Sequence, residues 1–147
     1  MRDLLEEVIR PYRKAPPPGV SVECDLEGAL ITLEVDRGLI AQALVNLIEN
    51  SLQAMPDGGR IVMSAAVVGS DSERALHIVI ADTGIGMDQE QLARAFEPYF
   101  STKGAGTGLG MSIARRAIEE HDGRIDLVSA PNEGTTVRVI LPAPGAP

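Results

Sequence analysis

The residue pattern predicts an α/β two-layer sandwich built on a mixed sheet, and three observations predict it. Strand-like aliphatic runs alternate with helical runs, but without the regular βαβ units of a doubly wound sheet. Residues 37–55 show one broad apolar arc on a 100° wheel, so this stretch must lie against a flat hydrophobic surface. The chain has 147 residues and is 44% hydrophobic, with two Phe, two Tyr and no Trp, which suits one domain with an aliphatic core.

The elements follow in order. Residues 2–13 read as a helix with Leu4, Leu5, Val8, Ile9 and Tyr12 on one side, ended by Pro16-Pro17-Pro18-Gly19. Residues 20–26 and 29–35 alternate as two strands about a turn at Glu27-Gly28. Asp36 suits the N-cap of the 37–55 helix, which stops at Pro56-Asp57-Gly58-Gly59. Strands at 60–68 and 74–81 come next, then a short helix at 88–95 and a longer one at 111–121, closed by His121-Asp122-Gly123. Strands at 124–129 and 135–141 complete the fold, and residues 142–147 read as a frayed tail.

The net charge of -8 argues against nucleic acid or an anionic membrane as main partner, since either needs a basic face. Cys24 stands alone, so no intrachain disulfide forms, and a buried inert thiol in a reducing cytoplasm is the expected setting. No apolar run is long enough for a membrane span and no signal sequence opens the chain; the domain is expected to be cytoplasmic, without direct membrane contact, whether or not a longer parent is membrane-bound.

The chemistry concentrates in two glycine clusters. Asp82-Thr83-Gly84-Ile85-Gly86 ends a strand-like run, and Gly104-Ala105-Gly106-Thr107-Gly108-Leu109-Gly110 opens a helix. Glycines at alternate positions leave N–H groups uncovered toward an anion, and a helix N-terminus adds a favourable dipole. A carboxylate at one end and a phosphate cradle at the other meet the needs of a purine nucleotide. The polar side of the 37–55 helix carries Gln42, Asn46, Glu49, Asn50 and Gln53, mostly amides, although Asn forms helix poorly. That face is either an amide-rich solvated surface or a pocket wall, where an Asn oxygen is a suitable hard ligand for Mg²⁺. Walker A, Rossmann and protein-kinase signatures are all absent.

Taken together the motifs resemble a known family. Asn46-Leu47-Ile48-Glu49-Asn50-Ser51-Leu52-Gln53-Ala54 is similar to the N box of the GHKL ATPases, Asp82-Thr83-Gly84-Ile85-Gly86 to their G1 box, Phe96-Glu97-Pro98-Tyr99-Phe100 to the F box, and Gly106-Thr107-Gly108-Leu109-Gly110 to the G2 box. Gly134-Thr135-Thr136 matches the late glycine-threonine element. An F box between G1 and G2 resembles bacterial sensor histidine kinases, of the nitrogen-regulation and dicarboxylate-sensor type. The resemblance implies the Bergerat ATP-binding fold, an α+β arrangement whose mostly antiparallel sheet is covered on one face by helices. It implies ATP or ADP with Mg²⁺ as ligand. Asp82 would accept from the adenine amino group, Asn50 would ligate Mg²⁺, and Asn46 would line the phosphate side. Gly84 and Gly86 would let the chain pass close to the base. Gly106, Gly108 and Gly110 would wrap the phosphates, and Thr135 would support Asp82 or a bridging water. Lys103 would face the terminal phosphate; Asn46 and Lys103 are the candidate catalytic residues. Gln53, Met87, Phe96, Thr102, Gly104, Thr107 and Leu109 would complete the nucleotide pocket, and residues 88–107 would form its lid.

The chain departs from the pattern in two places. Gln53-Ala54 stands where many sensor kinases carry a basic residue and an aromatic, which leaves one phosphate contact unassigned. Asn46 stands where gyrase-type ATPases place a catalytic Glu, so efficient hydrolysis is not expected, and Glu49 reads as a surface carboxylate. The phosphoacceptor motif H-E-x-x-[NT] is missing: His77 reads as a packed strand residue and His121 as a cation suited to a helix C-terminus. The domain is therefore expected to act on a dimerisation domain of the same protein, to reach a response regulator only indirectly, and to be monomeric when isolated. Residues 1–16 would be a remnant of the joining helix, 17–142 the catalytic domain and 143–147 a flexible tail. The alternative is a free-standing GHKL Ser/Thr kinase acting as an anti-sigma factor.

Overall fold

The computed structural model describes residues 1–100 and 108–143. The helices are α1 (Arg2–Lys14), α2 (Arg37–Gln53), α3 (Gln89–Ala93) and α4 (Gly110–Glu120); the strands are β1 (Val20–Gly28), β2 (Gly59–Val68), β3 (Ala75–Asp82), β4 (Arg124–Ser129) and β5 (Thr135–Pro142). The five strands form one sheet in the order β1-β2-β3-β5-β4, with β1 parallel to β2 and the other neighbours antiparallel. This is the expected mixed, mostly antiparallel sheet.

Alternation along the central strand sets the layering. Leu76, Ile78 and Ile80 of β3 are fully buried, while Ala75, His77, Val79 and Ala81 between them are half-exposed on the other face. The buried side meets α1, α2 and α4 in one core: Leu4, Leu5 and Ile9 from α1, Ile40, Leu44, Leu47 and Ile48 from α2, and Ala114 and Ile118 from α4. The arc read from the sequence of α2 is thus the buried face. Asp36 caps this helix as expected, its Oδ1 accepting from Leu39 N–H at 3.0 Å, a contact worth about 1 kcal/mol. α4 lies antiparallel beside α2, with Gly110 next to Asn46 and His121 next to Asp36.

Two expectations are corrected. Residues 29–35 form no strand: β1 runs straight through the supposed turn, with a register shift between Asp25 and Gly28, and finds its partner in β2. The following segment satisfies its main chain locally, through Ala29 N–H to Leu26 O and Ile31 N–H to Ala29 O, and the N-terminal ammonium of Met1 donates to Ile31 O at 2.7 Å. α1 contributes four buried side chains, Leu4, Leu5, Val8 and Ile9, to the common core. The C-terminal tail starts later than residue 142: Pro142 pairs with Ala75, and buried Ala143 donates its N–H to Arg74 O. His121 bridges two main-chain groups, its Nδ1 lying 2.7 Å from Ala117 O while Nε2 accepts Asp36 N–H at 2.9 Å. That ring ties the C-terminus of α4 to the N-cap of α2.

His77 occupies the helix-free face of the sheet and makes no hydrogen bond among the described residues, so it is less enclosed than its mid-strand position suggested. Partial burial, then the nearby Arg138 and Arg124 guanidinium groups, hold its pKa below the ordinary imidazole value.

Candidate nucleotide site

The site begins where β3 ends. The pleat that buries Leu76, Ile78 and Ile80 also turns Asp82 inward, leaving a carboxylate only 8% exposed at the edge of an aliphatic core. Two main-chain donors hold it: Gly84 N–H at 2.9 Å and Thr135 N–H at 3.1 Å, both to Oδ1. No described residue bonds to Oδ2, so the carboxylate is fixed by one oxygen and presents the other. Thr135 meets Asp82 through its main chain, while its hydroxyl faces Ser129 Oγ at 2.8 Å.

The loop after Asp82 is clamped between two elements. On one side Ile85 N–H donates to Ala54 O at the end of α2, and a Cβ on Gly84 would lie 2.6 Å from that same carbonyl. On the other side Asn132 N–H donates to Ile85 O, and Met87 N–H to Ser129 Oγ at 2.9 Å. Gly86 has φ +68°, and a Cβ there would overlap Ala130 O. Both glycines are thus demanded by contacts with the protein's own backbone. Ser129, on β4, was missed from the sequence: its hydroxyl accepts from Met87 N–H and donates to Gly134 O, joining the loop to the β4–β5 turn. A lone Ser in an amphipathic strand carries no signal for such a role.

Asn46 and Asn50 of α2 are half-buried against the start of α4. Asn46 Oδ1 accepts from Gln42 Nε2 at 3.1 Å, and its Cβ lies 3.8 Å from the Cβ position of Gly110. Asn50 Nδ2 is 3.4 Å from Met111 Sδ. The amide face is therefore a wall facing the N-terminal end of α4, where uncapped N–H groups favour an anion. Leu109 occupies the N-cap position, and its carbonyl accepts from Ser112 Oγ and Ile113 N–H. Gln53 is exposed on the last turn and makes no hydrogen bond among the described residues. Glu49 points to the opposite neighbour, accepting from Tyr12 OH at 2.7 Å. Burial and then this carboxylate raise the Tyr12 pKa above the ordinary phenol value.

Phe96 packs against the core with the Arg115 guanidinium 5.0 Å above its ring, and Arg94 lies 4.3 Å over Phe100. The Phe96–Phe100 segment then crosses the second glycine cluster. Tyr99 N–H donates to Gly108 O at 2.9 Å, and Gly108, at φ +74°, has no room for a Cβ against the Tyr99 main chain. In the expected lid, α3 is fixed by a capping box between Asp88 and Gln91. Thr102, Lys103, Gly104, Gly106 and Thr107 lie outside the described residues.

Comparisons with known proteins agree with this geometry. Residues 35–145 match the family described as histidine kinase-, DNA gyrase B- and HSP90-like ATPase. Nitrogen regulation protein NtrY of Azorhizobium caulinodans is 43% identical over 118 residues, 75% of this chain and 15% of that protein. AtoS of Escherichia coli, a signal transduction histidine-protein kinase, is 38% identical over 118 residues, 80% of this chain and 19% of that protein. Sporulation kinase E of Bacillus subtilis is 34% identical over 125 residues, 84% of this chain and 16% of that protein. The chain thus spans less than a fifth of each of these relatives. Among solved structures, the catalytic domain of histidine kinase ThkA superposes with a TM-score of 0.82 at 27% identity, covering 98% of this chain and 93% of that one. The fold, the ordered motifs and these likenesses together place the chain in the histidine kinase-, DNA gyrase B- and HSP90-like ATPase family, as a catalytic domain of the sensor histidine kinase type.

Proposed function

We propose that this domain binds ATP with Mg²⁺ and delivers the γ-phosphoryl group to a histidine on a separate dimerisation domain of its parent protein, from which a response regulator is then served. The observation that carries the reading is Asp82: a buried carboxylate clamped through Oδ1 and open at Oδ2 suits an exocyclic amino donor and repels the carbonyl of guanine. From that anchor the amide wall of Asn46 and Asn50 leads to the start of α4, the right chemistry for the phosphate end. No group of three or more His, Cys, Asp or Glu side chains able to hold a metal occurs among the described residues. Mg²⁺ here would take the Asn50 amide oxygen, substrate phosphates and water as ligands, and would supply charge neutralisation at the phosphates. Lys103 is the proposed cation for the terminal phosphate and Asn46 the proposed positioning group beside it.

In the transfer, an acceptor imidazole nitrogen attacks the γ-phosphorus in line as the bond to the β–γ bridging oxygen breaks. ADP leaves with that electron pair, and the acceptor ring loses its N–H proton. Neither His77 nor His121 suits the acceptor role: His121 has both ring nitrogens engaged, and His77 sits on the helix-free face of the sheet, away from Asp82 and α4. The test is transfer in trans. This chain incubated with γ-³²P-ATP is expected to remain unlabelled at histidine, and adding the dimerisation domain of its parent to produce label on that domain. Stoichiometric labelling of His77 or His121 alone overturns the reading. The Ser/Thr anti-sigma alternative is not favoured by the relatives, among them the signal transduction histidine-protein kinase AtoS.

A second expectation concerns Asn50. Asn50→Ala should weaken ATP binding by about tenfold, the worth of one ligand or charge-assisted bond, when Mg²⁺ is present and far less in EDTA. Calorimetry under both conditions checks it, and equal losses with and without metal would show damage to α2 instead.

A further inference from the structure

β1 is an edge strand, and its main chain is in a defined phase. Gly59 N–H donates to Gly19 O, so the odd-numbered residues of β1 bond to β2 and the even-numbered ones aim N–H and C=O at the free edge. The two ends of that edge close on the chain itself, Val20 N–H donating to Pro17 O and Leu26 O accepting from Ala29 N–H. Between them the N–H and C=O groups of Val22 and Cys24 have no partner among the described residues, and both residues are half-exposed.

Proteins usually blunt such an edge with proline or a covering element. Here it opens instead into a groove of about 970 Å³ between β1 and α1. On the α1 side Arg10, Arg13 and Lys14 stand beside the Arg2–Glu6 ion pair, and on the β1 side Asp25 and Glu27 flank Cys24, whose Sγ accepts from Arg13 Nη1 at 3.3 Å. Arg10 and Lys14 have no carboxylate partner among the described residues, in a chain whose net charge is -8. The other face of the same strand exposes Glu23, which Arg60 holds in an ion pair. The unpaired cations beside this edge thus stand on α1.

We propose that this edge takes up an extended segment of a partner protein as a sixth strand. That segment carries carboxylates at alternate positions facing Arg10 and Lys14 of α1. Main-chain bonds to Val22 and Cys24 provide the attachment, and the two-residue period of a strand turns every second side chain toward α1. The site lies apart from Asp82 and the amide wall, so it stands independently of the nucleotide reading.

The probes are two blocked hexapeptides, Thr-Glu-Thr-Glu-Thr-Glu and Thr-Lys-Thr-Lys-Thr-Lys, added to the ¹⁵N-labelled chain. The Glu peptide is expected to shift the Val22 and Cys24 amides saturably. At about ten times its Kd it should slow Cys24 alkylation by iodoacetamide about tenfold, while the Lys peptide does neither. The double variant Arg10→Glu/Lys14→Glu should lose both effects yet bind ATP as before. Val22→Pro, which removes an edge donor but no ladder bond, should lose them too; if that variant does not fold, the charge-reversed one decides. Equal responses to both peptides, shifts that spare Val22 and Cys24, or full binding by the double variant overturn the proposal. So does a concentration-dependent dimer in which a second copy's β1 fills the edge.

Discussion

Asp82→Ala is expected to lower ATP affinity by about a hundredfold or more. A hydrogen bond to a charged acceptor is worth about 1.5–3 kcal/mol, which is roughly 10- to 150-fold in affinity. The alanine variant also leaves Gly84 and Thr135 N–H without their acceptor, so the loop that shapes the pocket loosens as well. Asp82→Asn separates the two effects. Its amide oxygen can still accept both main-chain donors, whereas its NH₂ group meets the ligand's amino group donor to donor. The asparagine variant should therefore keep most of the thermal stability that the alanine variant loses, and still bind ATP poorly. Calorimetry with ATP and GTP, alongside thermal unfolding, gives both readings. An Asp82→Asn protein that binds ATP like the parent would remove Asp82 from base recognition.

The second large effect is expected from a single methyl group. Gly86→Ala places a Cβ at φ +68°, which costs roughly 1–2 kcal/mol for an L-residue, and drives it into the Ala130 carbonyl. The neighbours are backbone on both sides of a clamped loop, so relief requires moving the β4–β5 turn. A total near 3 kcal/mol, or about 6–12 °C in Tm for a domain of this size, follows. Gly38→Ala is the contrasting control. Gly38 lies in the first turn of α2, where the nearest atom to an added Cβ is Asp36 Oδ1 at 3.5 Å. There alanine should be neutral or stabilise by up to about 1 kcal/mol. Unfolding scans of the two variants test the pair; a Gly86→Ala protein as stable as the parent would show that the turn yields easily.

What the sequence made legible was whatever depends on local pattern. The buried arc of α2, the Asp36 cap, the stop at Pro56–Gly59 and the inward turn of Asp82 all follow from periodicity and turn chemistry within a few residues. Strand pairing is not local, and there the reading failed. Residues 29–35 alternate like a strand, yet β2 is already flanked by β1 and β3 and offers them no ladder. The glycines at 84 and 86 were found by motif, but the reason for them lies on Ala54 and Ala130, segments that no inspection of the loop itself could supply. Ser129 and the His121 bridge were invisible for the same cause: each acts through a partner distant in sequence, Met87 and Asp36 respectively.

The two donors that hold Asp82 come from Gly84, two residues on, and Thr135, which is 53 residues on. The second belongs to the last strand of the fold. A growing chain on the ribosome thus carries the complete motif for base recognition long before it carries the site, since the carboxylate keeps only half of its restraint until β5 has emerged and docked beside β3. Competence for the ligand therefore waits on β5, and a chain truncated before Thr135 would retain the motif without the means to hold it.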